Sequence, residues 1–157
     1  MEFEPGYGIL AGVIGGSVMA VMLYMGILLL PQQMKMNLFT MLGTMVLPAG
    51  AAAFMIGAMV HVVMSGAFGL AHGAVFAVAD VDSNEAAWGL LFGFVHWAVV
   101  GMGLGMLPLM HPRIRDGEID APGFYALSYP PMTAMGFLML HLVFGVIVGA
   151  LYGTWAG

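Results

Sequence analysis

The chain has 157 residues, 62% of them hydrophobic and only 7% charged, with a formal net charge of −5. Soluble domains carry roughly a quarter of their residues as charges, so this composition excludes that class and points to lipid as the surrounding solvent. The acidic balance and the lack of a basic tract exclude a nucleic-acid surface, and zero cysteines exclude disulfides, iron–sulfur clusters and thiolate metal sites.

Four apolar runs, residues 7–30, 53–79, 86–109 and 132–155, approach or exceed the ~20 residues that carry a helix across hydrocarbon. Runs of this length satisfy their backbone in lipid only as helices, so the expected fold is an all-α membrane protein of four transmembrane helices in one domain. The first run begins at the end of MEFEPGYG, residues 1–8. Glu2 and Glu4 stand where a secretory signal would be basic, and the run is too long for one, so it reads as a span. Along it Gly8, Gly12, Gly16 and Ala20 recur every four residues, a face that lets another helix come close. Residues 34–47, MKMNLFTMLGTMVL, are too short to cross and predict a helix at the interface or a shallow re-entrant turn.

The second run places Gly57, His61, Ser65, Phe68 and His72 on one helical face. The acidic connection DVDSNEAA leads to the third, whose Gly89, Gly93, His96 and Gly103 share a face. That run stops at His111-Pro112-Arg113, where Pro112 ends the helix. The following HPRIRDGEIDAPGFYALSYPP holds most of the polar chemistry and reads as a solvated loop. In the fourth run Ala134, His141, Gly145, Gly149 and Tyr152 align. Gly12, Gly16, Gly93, Gly145 and Gly149 are the expected helix-packing contacts.

All basic residues, Lys35, Arg113 and Arg115, fall in connections 31–52 and 110–131. The positive-inside rule puts both loops in the cytoplasm and both termini outside an inner or plasma membrane. The second and fourth runs also overlie without a gap. MVHVVMSGAFGLAHG, residues 59–73, matches MLHLVFGVIVGALYG, residues 139–153, with Met59/Met139, His61/His141, Val63/Val143, Gly69/Gly149 and Gly73/Gly153 identical. Less closely, Gly8 and Gly12 overlie Gly89 and Gly93. The pattern predicts a tandem duplication of a two-helix unit, residues 1–79 and 80–157, as parallel repeats about an axis along the membrane normal. His61 and His141 then fall at equal depth on opposite sides of that axis, and His96 lies outside the symmetry.

Two readings of the intramembrane histidines stay open. Each imidazole hydrogen-bonds a carbonyl or Ser65 across a helix interface, and His96 is expected to act in this way. Alternatively, His61 and His141 ligate haem b, with His72 and His96 as further candidates for a cofactor or a metal such as copper. The 17 methionines read as adaptable apolar filler, since no dense Met-x-x-Met cluster accompanies a histidine. No nucleophile–base pair, phosphate loop or zinc motif occurs, and no acidic residue lies within a span, so no catalytic residue is named.

GMGLGMLPLMHPRI followed by APGF, and the ending HLVFGVIVGALYG, resemble a family of small four-span membrane proteins of bacteria and archaea with no assigned activity. The resemblance implies the four-span fold and supplies no catalytic residues. The function expected is that of a non-catalytic integral membrane subunit, or accessory or assembly factor, of a larger membrane complex, with lipid and other membrane subunits as partners. The alternatives are a bis-histidine electron carrier and a small-solute channel or transporter lined by His61, His72, His96 and His141.

Overall fold

A computed structural model describes residues 2–157. Among these residues every regular element is helical: α1 (Pro5–Leu29), α2 (Leu38–Gly43), α3 (Ala51–Val78), α4 (Glu85–Met110), α5 (Pro112–Arg115), a 3-10 turn (Phe124–Ala126) and α6 (Pro131–Ala156). α1, α3, α4 and α6 are long and apolar enough to cross a membrane, and their ends fall within two residues of the expected spans.

Local chemistry explains where the helices begin and stop. Pro5 and Pro131 open α1 and α6, where the missing amide hydrogen leaves no bond unmade. Glu85 in the first turn of α4 complements the positive end of that helix. Asp80 and Asn84, at φ 50° and 56°, are short polar residues that tolerate the left-handed turns between α3 and α4. Pro108 does not break α4, which runs on to Met110. His111 then caps α5, its Nδ1 accepting from the Ile114 amide at 3.3 Å. The remaining ring nitrogen must therefore carry the proton, and Nε2 donates to the Met41 carbonyl at 2.9 Å. A residue read from sequence as a boundary signal thus ties the two connections together. Arg113 adds to the tie, donating to the Leu47 carbonyl at 3.2 Å and pairing with Glu118 at 2.6 Å.

The chain divides into two compact units. One comprises the chain through Met22, Val62–His96 and Met139–Gly157; the other comprises Leu23–His61 and Trp97–Leu138. In the first unit, small residues set two close helix crossings. Gly12 of α1 lies on Ser65 and Gly69 of α3, where an added Cβ would come 2.7 Å from the Gly69 Cα. Gly145 of α6 lies on Gly89 and Gly93 of α4, where an added Cβ would come 2.8 Å from the Gly93 Cα. Neither site has room for a side chain. Tyr152, fully buried and stacked on Phe76 at 5.8 Å, accepts a hydrogen bond from the Glu4 amide at 2.9 Å and so fastens the N-terminal segment.

The second unit is organised by the connections. Asn37 caps α2 by accepting from the Thr40 amide at 3.1 Å. Gly43 of α2 lies against Ala53, and Gly57 against Phe39 and Gly43, so α2 docks on the start of α3. The segment expected to lie at the interface or to form a re-entrant turn buries Met34, Met36 and Met41 and leaves Lys35, Asn37 and Val46 exposed. Met36 and Met41 join Leu104, Ala126 and Phe137 in one apolar core. The turn at Phe124–Ala126 carries two left-handed residues, Tyr125 at φ 55° and Ala126 at φ 61°. The Tyr125 ring meets Trp97 at 4.8 Å and lies over Gly101.

Candidate functional site

His61, His72 and His141 are buried inside the apolar helices, as are Ser65 and Thr133, and ionisable groups at such positions are costly enough to call for a functional hypothesis. In the first unit α3, α4 and α6 bring three histidines together. The His96 ring is 5.5 Å from His72 and 4.9 Å from His141, both contacts edge-on. Phe68 lies over His96 at 3.9 Å, and Phe144 is 5.4 Å from His96 and 5.5 Å from His72. His96 is therefore the centre of the cluster, although the sequence overlay leaves it outside the repeat.

Helical spacing explains the assembly. Phe68 and His72 are four apart on α3, and His141 and Phe144 three apart on α6, so each helix offers an imidazole and a benzyl ring on one face. The glycine crossing of α4 and α6 sets their separation, because Gly93 lies against the His141 carbonyl. Across this close crossing the rings of His96 and His141 meet edge to face. Phe144 is absent from the sequence-predicted set, though its three-residue spacing from His141 was there to be read.

The hydrogen bonding of His72 and His96 differs from the cross-interface bonds expected. His72 Nδ1 donates within its own helix, to the Phe68 carbonyl at 2.8 Å, while its buried Nε2 has no protein partner. His96, expected to bond across an interface, has its Nδ1 likewise buried without a protein partner. His61 belongs to the second unit, where its ring lies 5.5 Å from Phe39. The structure thus groups His72, His96 and His141, and places His61 in a different ring environment from His141.

The cluster does not fit a haem. A macrocycle needs an open slot along the axis of its ligating nitrogen, and rings 4–6 Å apart are already in contact. His96 is in that contact with His141 and is enclosed in turn by Phe68, His72 and Phe144. Among the described residues, no group of three or more His, Asp or Glu side chains has the geometry to hold a metal ion.

The expected packing glycines Gly12, Gly93, Gly145 and Gly149 all lie at helix crossings, and Gly16 is buried. Gly103 departs from its stripe: an added Cβ there would meet nothing within 4 Å. Gly101 and Gly105 make the close approach instead, to Tyr125 and Phe124. Gly8, Gly69 and Gly89 complete the crossings in the first unit. The two crossings are alike in kind but differ by one turn from the sequence overlay: Gly12 meets Ser65 and Gly69, whereas Gly93 meets His141 and Gly145.

The methionines fall into two groups. Met19, Met34, Met36 and Met41 are buried filler, with Met34 reaching over Gly26 and Gly136. Most of the others are exposed, in stripes of four-residue spacing: Met55 and Met59 on α3, Met102, Met106 and Met110 on α4, Met135 and Met139 on α6. No family model, curated protein or solved structure matches the chain.

Proposed function

We propose that the chain is a non-catalytic subunit or accessory factor of a larger membrane complex, recognised through its outer helix faces. The observation that carries this reading is the methionine striping of α3, α4 and α6. Lipid gains nothing from a thioether over a leucine, whereas a protein partner gains an adaptable, polarisable surface. The interior suits the same reading, since glycine crossings and ring-packed histidines hold the helices together. In this reading the connections bearing Lys35, Arg113 and Arg115 face the cytoplasm and both termini lie outside. Tandem duplication accounts for two glycine crossings of the same kind, and the family resemblance of the sequence suits a small four-span subunit.

Tryptophan scanning tests it. A bulky apolar residue is tolerated where a helix faces lipid and rejected where it faces protein. Met102→Trp and Met106→Trp should abolish recovery of a stoichiometric partner in mild detergent, with helix content unchanged. Retention of the partner by every outer-face variant would refute the proposal.

A second reading, a conduit, draws support from the unpartnered nitrogens of His72 and His96. It predicts solute or proton flux into liposomes that His96→Phe abolishes, and a tight bilayer with the unaltered chain would exclude it.

A further inference from the structure

A cleft of about 570 Å³ opens in the second unit between the two connections, within the range of small-molecule sites. Its walls carry opposite charges that do not neutralise each other. Lys35 comes from the first connection and Asp120 from the second, and among the described residues neither side chain makes an ion pair. Glu118, which also lines the cleft, is held by Arg113. The Lys35 backbone is fixed by its amide donating to Thr133 Oγ1 at 3.1 Å, and its exposed side chain lines the cleft.

The remaining polar groups are oriented as well. Asn37 Oδ1 accepts from the Tyr24 hydroxyl at 2.9 Å and from the Thr40 amide at 3.1 Å. With its oxygen engaged, the Asn37 amide nitrogen is left to donate beside Lys35. The Tyr129 hydroxyl donates to the Asp120 carbonyl at 3.0 Å, so its own lone pairs remain as acceptors near the Asp120 carboxylate. One part of the cleft thus offers a cation and N–H donors, and another offers a carboxylate and a hydroxyl oxygen. Met36, Met41 and Ile119 give the lining an apolar component.

We propose that this cleft binds a phosphoethanolamine-type zwitterion, the phosphate on Lys35 and Asn37 and the primary ammonium on Asp120 and Tyr129. An ammonium and an amide converging on one anion suit a phosphate, which presents several oxygens in different directions. Acceptors alone at the other end require a group with N–H bonds, which a primary ammonium has and a quaternary one lacks. The setting suits a phospholipid headgroup: Leu28 and Leu29, at the end of α1 leading into this connection, are 79% and 70% exposed, and Leu127, two residues before Tyr129, is 70% exposed. Acyl chains would run along such residues while the headgroup entered the cleft.

The test is native mass spectrometry of the full-length chain in detergent, titrated with dioleoyl phosphatidylethanolamine, phosphatidylcholine or phosphatidylglycerol. One phosphatidylethanolamine per chain should be retained, roughly tenfold more tightly than either other lipid, the size expected from one charged hydrogen-bonding partner. Asp120→Asn should reduce phosphatidylethanolamine to the phosphatidylcholine level and leave phosphatidylcholine unchanged, while Lys35→Gln should weaken all three lipids. Both residues are exposed, and circular dichroism verifies that the variants fold. Free glycerophosphoethanolamine that displaces the lipid would identify the headgroup as sufficient and a soluble ligand as its source. Retention of lipid against that competitor would identify the membrane lipid. Equal retention of the three lipids by the unaltered chain, or an Asp120→Asn variant that keeps its preference, overturns the proposal.

Discussion

Adding one methyl group at Gly145 and the same methyl at Gly103 should shift stability in opposite directions. Both glycines lie inside long helices, at positions that place them on small-residue faces in the sequence. At Gly145 the new Cβ would stand 2.8 Å from the Gly93 Cα and 2.9 Å from its nitrogen, and closer still to the Gly89 carbonyl. Ordinary contact for a Cβ begins at 3.4 Å, so α4 and α6 must part by about 0.6 Å at Gly93 and by more at Gly89. Every neighbour is backbone, which cannot rotate away, and a gap of that size forfeits about a quarter or more of the dispersion energy of the atoms on either side. Overpacking of this kind costs about 2–3 kcal/mol. Alanine returns up to about 1 kcal/mol over glycine in a helix interior, leaving a net loss of about 1–3 kcal/mol. At Gly103 nothing lies within 4 Å, so only the helical gain of about 0.5–1 kcal/mol remains. The assay is reversible unfolding in mixed micelles followed by far-ultraviolet circular dichroism, with both variants measured against the parent. Gly145→Ala at or above parental stability would refute the close crossing, and a loss at Gly103→Ala equal to that at Gly145 would refute the contrast.

Other consequences can be checked with the same preparation. Truncating His111, 1% exposed, to alanine removes the α5 cap and the bond to Met41 and leaves a cavity, costing about 3 kcal/mol; His111→Asn, which can also cap, should recover part of that. His96→Phe keeps a ring in the cluster and removes a nitrogen without a partner, so unfolding should show no loss and up to about 1 kcal/mol of gain. Burial, and then the Asp120 carboxylate, raise the Tyr129 phenol above its ordinary value of 10.0. Since the folded state favours the neutral phenol, the stability it contributes is complete below pH 10 and is lost as pH rises through the raised value. Tyr129→Phe should abolish that part of the alkaline loss, and the difference in tyrosinate absorbance between the two proteins should titrate above pH 10.

Much of the fold could be read from the sequence because lipid imposes a simple constraint on length and polarity. The four long helices begin and end within two residues of the apolar runs. The packing glycines were legible where spacing coincided with contact, as at Gly12, Gly93, Gly145 and Gly149. Gly103 shows the limit, since a shared stripe says which side a residue faces and not whether a neighbour stands there. The histidines show another limit. Identity in the overlay favoured His61 with His141, but ring contact depends on helix register, and the crossings differ from the overlay by one turn. His96 therefore meets His141. Composition likewise gave the number of methionines without their direction, which spacing on each helix could have supplied. The cleft and the role of His111 were hidden because both join residues about 70 or more positions apart in loops without periodicity.

The central claim is that function resides on the outside of the helices while the inside holds them together. Purification in mild detergent from cells expressing the unaltered chain, His96→Phe or Met102→Trp, with partner stoichiometry quantified by mass spectrometry, tests it most directly. The account predicts a stoichiometric membrane partner with the unaltered chain and with His96→Phe, and its loss with Met102→Trp. An unaltered chain that always purifies alone, or a partner lost with His96→Phe and kept with Met102→Trp, would contradict it.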